Sequence, residues 1–329
     1  CIPGCGRIGC AAVARRAGAL GAVALAVLAL ASCGGGGRGR PTVRLALDFT
    51  PNAAHAGVFA SVDDRLDRAN GIHLEVRQPT ASTDSLELLT TGRAELAVLD
   101  IHDLGLAREH GEDLVGVGAL VQRPLAAVIA GTGVARPRAL ERRRVGVTGL
   151  PSDNAVLRAV VQGDGGSYAR VHRVTIGFTA GASLVARKVA AATAFWNVEG
   201  VTLKARGVRT HEFRVDDFGA PRYPELVVVT TRRELTAHRE TVRRALAALE
   251  EGTRAALGSP DRAVASIARA SQADGGLVRA ELRAIAPALT PALRLDPRAL
   301  RGWGSFDVRF GILRRPPNLR RAFDLTVAP

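Results

Sequence analysis

In the run TAFWNVEG (193–200), Trp196 and Glu199 stand three residues apart at the end of an apolar stretch. A flat ring beside a carboxylate suits a planar, amino-bearing heterocycle: the ring stacks, and the carboxylate accepts from ring N–H and amine. A second polar group gathers in LALDFTPNAAHAGVF (45–59), where an apolar run stops at Asp48, Phe49 and Asn52, with His55 just beyond. Asp and Asn at such turns can hold a ligand or simply cap a helix, and His55 can equally pack. In LPSDNA (150–155), Ser152 and Asp153 stand where a helix would begin. Free N–H donors there can receive an acceptor group, unless the two side chains only cap them. Asp100 with His102, and Tyr223 with Glu225, complete the polar residues that one site would draw on.

Nothing in this set assembles a catalyst. No G-x-G-x-x-G, Walker loop, H-E-x-x-H or G-x-S-x-G stands in a fitting context, and no triad follows from spacing. All four cysteines (Cys1, Cys5, Cys10 and Cys33) fall in the first 33 residues, which excludes a thiolate metal site or disulfide framework in the body. The reading is of a binder with neither metal nor cofactor.

The elements that must position these residues alternate. Strands are expected at 42–49, 72–78, 94–100, 114–121 and 125–131, separated by helices at 55–69, 82–92 and 102–111. A second unit follows, with strands at 143–149, 171–178, 193–196, 209–218 and 224–231 and helices at 152–163 and 181–192. Helices at 232–257, 261–272 and 276–289 close the pattern. Such alternation implies parallel sheet with crossover helices. The second lobe (125–224) is inserted in the first (42–124 plus 225–329), so the chain crosses twice. Strand ends and domain interfaces favour ligands, which makes the cleft between the lobes the expected site.

The first forty residues read as an address. Arg7, Arg15 and Arg16 precede the uncharged run 17–32, which is short for a bilayer span of ~20 residues. The run ends in Leu30-Ala31-Ser32-Cys33, which resembles the lipobox of bacterial lipoproteins. That resemblance implies a signal peptide over 1–33, lipidation of Cys33 and a tether on the outer face of the cytoplasmic membrane, with the Gly-rich stretch 34–41 as a leash. The chain opens on Cys1 and holds no methionine, so its true start is expected to be missing or misassigned.

The net charge of +14 does not indicate nucleic acid. Only Lys188 and Lys204 are lysines, the arginines are scattered singly, and aromatics at 4% supply no stacking platform within a basic stripe.

The runs VRLALDFTPNAAHAGVFAS, GIHLEVRQP, TTGRAELAVLD and ALVQRPLAAVIA resemble the SsuA/THI5-like family of type II periplasmic-type binding proteins, over roughly 42–260. The nearest branch is the thiamine-pyrimidine precursor binding lipoproteins of ABC importers, beside yeast hydroxymethylpyrimidine phosphate synthase. The resemblance implies a type II periplasmic-binding-protein fold, an aminopyrimidine ligand, an ABC permease as partner and a monomeric receptor. By motif position it carries Phe49, Asn52 and His55 to the ring-clasping turn, although the family usually has Trp where Phe49 stands. Trp196 and Glu199 match the same clasp. The synthase reading fails on residues: its lysine position is Val98, and the late segment YPELVVV holds no cysteine, so His102 stands alone. A sulfonate, taurine or nitrate receptor of the same superfamily is the alternative, and it would need anion donors, with LPSDNA as their likeliest source.

Overall fold

The computed structural model describes residues 39–80 and 84–328. The expected signal segment, Cys33 and most of the leash lie outside the described residues. Among the described residues, no helix is long and apolar enough to cross a membrane.

Ten strands form in the expected places. They are β1 (Thr42–Ala46), β2 (His73–Arg77), β3 (Leu96–Asp100), β4 (Leu114–Val121), β5 (Ala126–Gly131), β6 (Arg144–Val147), β7 (His172–Thr175), β8 (Ala191–Phe195), β9 (Thr210–Arg214) and β10 (Leu226–Thr231). They build two five-stranded sheets with one topology: β2-β1-β3-β10-β4 and β7-β6-β8-β5-β9. In each sheet, the strand that arrives from the other lobe is the antiparallel one. β10 runs against β3 and β4, and β5 runs against β8 and β9. This is a type II periplasmic-binding-protein fold.

Both faces of the sheets are covered, which is why the strands read as near-continuous apolar runs. Along β10, Leu226 and Val228 enter one core while Val227 and Val229 enter the other. That division follows the two-residue period of a strand.

Three expectations are corrected. The helix expected over 55–69 breaks at Arg65, whose φ of +59° is left-handed. The helix expected over 181–192 ends at Val185, and the strand after it begins at Ala191, not at residue 193. That strand also stops at Phe195, so Trp196 opens a wide helical turn, Trp196–Gly200, instead of closing the strand.

The C-terminal segment lies along β4. Leu289 bridges Val121, Ala119 N–H donates to Leu293 O at 2.8 Å, and Phe323 bridges Gly116. An otherwise open sheet edge is thereby covered. The helix Pro297–Phe310 then packs so closely on the helix Ile101–Glu109 that a Cβ at Gly105 would come within 2.8 Å of Trp303.

Candidate ligand cleft

At the carboxyl end of β1, the backbone turns through Asp48, Phe49 and Asn52. Asn52 is occupied by that turn: Oδ1 accepts from Ala54 N–H at 2.8 Å and Nδ2 donates to Thr50 O at 3.0 Å. Asn52 N–H points to His55 Nδ1 at 3.3 Å, which leaves the His55 proton on Nε2 to be donated to Asp48 Oδ1 at 2.8 Å. This is a capping box with a histidine in the third position. Asn52 and the fully buried His55 therefore build the turn, and Asp48 and Phe49 are the residues it presents to the cleft.

Across from them, the other lobe supplies Phe178, which follows β7. Its ring meets Phe49 edge-to-face, with centroids 4.8 Å apart and planes at 89°. Phe178 is 48% exposed, so an aromatic pair stands at the mouth with one face in water. A lone phenylalanine in a polar segment carries no periodic signal, and sequence reasoning did not single it out.

The floor on that side comes from β8 and from the helix Pro151–Gly163. Ser152 and Asp153 line the cleft there. Asp153 is engaged on both oxygens, accepting from Thr148 Oγ1, Gly149 N–H and Leu150 N–H on Oδ2 and from Thr193 Oγ1 on Oδ1. Gly149 takes a φ of +109°, which a side chain would strain. Glu199 and Phe195 also line the cleft, and Glu199 accepts from Phe195 N–H at 3.0 Å. Burial pushes the Glu199 carboxyl up, because little water reaches its charged form.

Trp196 does not join them. It is 3% exposed, its indole N–H donates to Pro124 O at 3.0 Å, and the Arg214 guanidinium lies 4.2 Å from its ring. The strand ends one residue earlier than expected, and the wide turn sends Trp196 to the crossing segment while Glu199 returns to the cleft.

Asp100, at the carboxyl end of β3, caps the helix Ile101–Glu109 by accepting from His102 N–H at 2.7 Å. The His102 ring is buried, with Nδ1 2.6 Å from Asp307 Oδ1 and Nε2 3.1 Å from the Tyr223 hydroxyl. Burial opposes its charge, but Asp307 and Asp100 outweigh that and raise His102 to about 9. The Trp303 indole N–H also reaches His102 Nδ1, at 3.2 Å. Tyr223 is fully buried behind it and does not line the cleft. Asp307 and Trp303, both on the C-terminal helix, were not singled out from sequence, because nothing local ties residue 307 to residue 102.

The cleft holds about 920 Å³ of space, part of it open to solvent. Among the described residues, its charged lining is one-sided: six carboxyls (Asp48, Asp100, Asp103, Asp153, Glu199 and Glu225) and His102, with no lysine or arginine. Burial raises Asp103 to about 6 and Glu225 to about 7. Among the described residues, no group of three or more His, Cys, Asp or Glu could hold a metal ion.

Two α/β lobes of one topology around such a cleft define the type II periplasmic-binding class. Solved structures agree on the fold. A ligand-binding component of an ABC-type import system from Staphylococcus aureus, with zinc bound, superposes with a TM-score of 0.72 at 11% identity, over 87% of this chain and 97% of that one. The alkanesulfonate-binding protein SsuA of Xanthomonas axonopodis pv. citri, bound to MOPS, gives 0.70 at 16% identity, over 86% and 98%. Residues 52–263 match the family described as NMT1/THI5 like, and the chain belongs to that family. A formylaminopyrimidine-binding protein of Halalkalibacterium halodurans is 32% identical over 213 residues, which are 63% of this chain. The chain thus spans just under two thirds of that relative, 64% of its length.

Proposed function

We propose that the chain is the solute receptor of an ABC importer and that its solute is an aminopyrimidine precursor of thiamine. The observation that carries this reading is the lining of the cleft, which among the described residues holds six carboxyls and no lysine or arginine. Carboxylates in a partly dry cleft repel anions and accept from amines. A sulfonate or nitrate would require donors, and among the described residues the one basic lining group, His102, already faces Asp307. The likeness to a formylaminopyrimidine-binding protein supports the same choice.

In this reading, the pyrimidine ring enters between Phe49 and Phe178, which open from their edge-to-face contact to admit it. Glu199 accepts from the amino edge, and Asp48, held by His55, accepts from a second donor. No covalent step is involved: the protein binds, shields and releases. Closure of the lobes is favoured because the ligand makes contacts to both, so it binds the closed form more tightly than the open one. A lipid on Cys33 holds the receptor outside the membrane, where a permease takes the solute from it.

The test is a thermal-shift panel on the full-length protein with formylaminopyrimidine, hydroxymethylpyrimidine, thiamine, taurine and nitrate. A ligand at 100 times its dissociation constant adds about 2.7 kcal/mol and raises the melting temperature by a few degrees. The reading expects that rise with a pyrimidine and none with taurine or nitrate. The reverse pattern would overturn it.

A further inference from the structure

The cleft takes up one end of the first lobe, at the carboxyl ends of β1 and β3 that carry Asp48 and Asp100. The opposite end is where the chain enters this lobe, at Arg40 and Pro41, beside the amino end of β1. β3 begins there, soon after Arg93. β10 ends there and β4 begins there: Thr231 stands opposite Leu114, and Arg232 N–H donates to Asp113 O at 2.9 Å.

Arginines that stand apart in the sequence meet on this edge. The Arg233 guanidinium reaches the turn before β3, 3.5 Å from where a Cβ would sit on Gly92. Arg232 donates to Arg321 O, and Arg321 lines one groove with Arg315, Arg108 and Asp113. The acids there are largely spent. Asp113 faces both Arg232 and Arg108, Glu95 faces Arg44, and Glu109 faces Arg314. Arg93, Arg233, Arg315, Arg320 and Arg321 are exposed and make no ion pair among the described residues. Glu112, in the groove, makes none either, so positive charge is in excess. Like charges gathered without counter-charges repel one another, and the fold gains nothing from collecting them. An anionic surface outside the protein would relieve them.

We propose that this base of the first lobe docks on anionic lipid headgroups, so that the receptor rests on the membrane with its cleft turned away from it. The proposal rests on the lipid-anchored reading above, because the anchor decides which surface the edge meets. Seven residues, 34–40, separate Cys33 from Pro41. Whatever their form, they span at most about 25 Å, so the edge at Arg40 is the part of the receptor tied closest to the bilayer. Attraction to an anionic leaflet falls off over a Debye length of about 10 Å, which favours guanidinium groups on that edge over those elsewhere. Each planar fork can take two headgroup phosphate oxygens at once. Among the described residues the exposed aromatic is Phe178, at the cleft mouth. A nucleic acid would therefore find charge on this edge but no ring to stack on.

The experiment is co-sedimentation of the full-length protein, carrying Cys33→Ser so that no lipid is attached, with two kinds of vesicle. One is phosphatidylcholine alone, and the other is phosphatidylcholine mixed with phosphatidylglycerol. The proposal expects binding at least about tenfold tighter on the anionic vesicles, a gain that added salt removes. The titration is repeated on the triple variant Arg233→Gln, Arg320→Gln, Arg321→Gln. A control triple, Arg143→Gln, Arg187→Gln, Arg206→Gln, removes the same charge from exposed positions of the second lobe. The apolar run 17–32 and its arginines act alike in all three proteins. The first triple should lose most of the gain and the control should keep it, with both melting as the unmodified protein does. No gain on anionic vesicles, a gain that the first triple retains, or an equal loss in both triples overturns the docking surface. Tight binding of single-stranded DNA without a gain on anionic vesicles does the same. Each of these leaves the solute reading of the cleft standing, since pyrimidine titration tests that. The anchor is checked apart, by the mass of unmodified protein extracted from membranes, and a bare Cys33 overturns the proposal together with the anchored reading beneath it.

Discussion

Asn52 shows why residue types alone do not reveal a ligand contact. Its carboxamide is committed to Ala54 N–H and Thr50 O, and the residue is 7% exposed. Replacement by alanine should therefore cost about 1 kcal/mol of stability, as the loss of an N-cap does. Denaturant melts would read that loss, and ligand affinity should fall far less than in Glu199→Gln. An equal loss of affinity in the two variants would place Asn52 against the ligand instead. The sequence brought the right polar residues to the turn, but it did not say which were consumed by the backbone. His55 was legible as part of the cluster, and its task of fixing Asp48 was not. Trp196 was misplaced by a single residue, since a strand that ends one position early sends the next side chain elsewhere. Phe178, alone in its segment, offered no pattern to read.

At the scale of elements, the strands were the most legible part of the chain. Ten β-branched or apolar runs, each bounded by turn residues, became ten strands. The helices were read less well where a left-handed residue such as Arg65 interrupts them, because any residue type can stand there at some cost. The helix Pro297–Phe310 was not among the expected elements, which closed at residue 289. It delivers Asp307 to His102 in one lobe, and Phe310 O accepts from Arg158 Nη1 at 3.1 Å in the other. Asp307→Asn removes the chief counter-charge beside the buried His102 ring. The His102 pKa should drop from about 9, readable by NMR of the ring, and stability should fall by about 3 kcal/mol, as when one partner of a buried pair is lost. An unchanged His102 titration would show that Asp100 alone holds the charge.

The whole molecule should respond to pH in one direction across the neutral range. Burial raises Glu225 and Glu281 to about 7, well above the ordinary glutamate value. An acid whose folded pKa is raised stabilises the fold fully below its unfolded pKa, and that contribution is lost as pH rises through the folded value. His102, raised to about 9, loses its contribution between its ordinary value and 9, in the same sense. The empty protein should therefore melt several degrees lower at pH 8 than at pH 5, and Glu281→Gln should flatten part of that slope. A melting temperature that rises over the same interval would contradict the assignment of these buried acids. The two-lobed architecture was legible in the alternation of elements, and so was a cleft at the strand ends. The gathering of acids at the cleft of a chain of net charge +14 was not, because it is created by folding. The arginines stay outside, and the acids are gathered at the strand ends.

The central claim is that this acidic cleft captures an aminopyrimidine and refuses an anion. Direct titration of the full-length protein with formylaminopyrimidine and with taurine, under one set of conditions, measures it. The account predicts saturable one-to-one binding of the pyrimidine, weakened at least about tenfold by Glu199→Gln, and no heat from taurine. Saturable binding of taurine with none of the pyrimidine would contradict it.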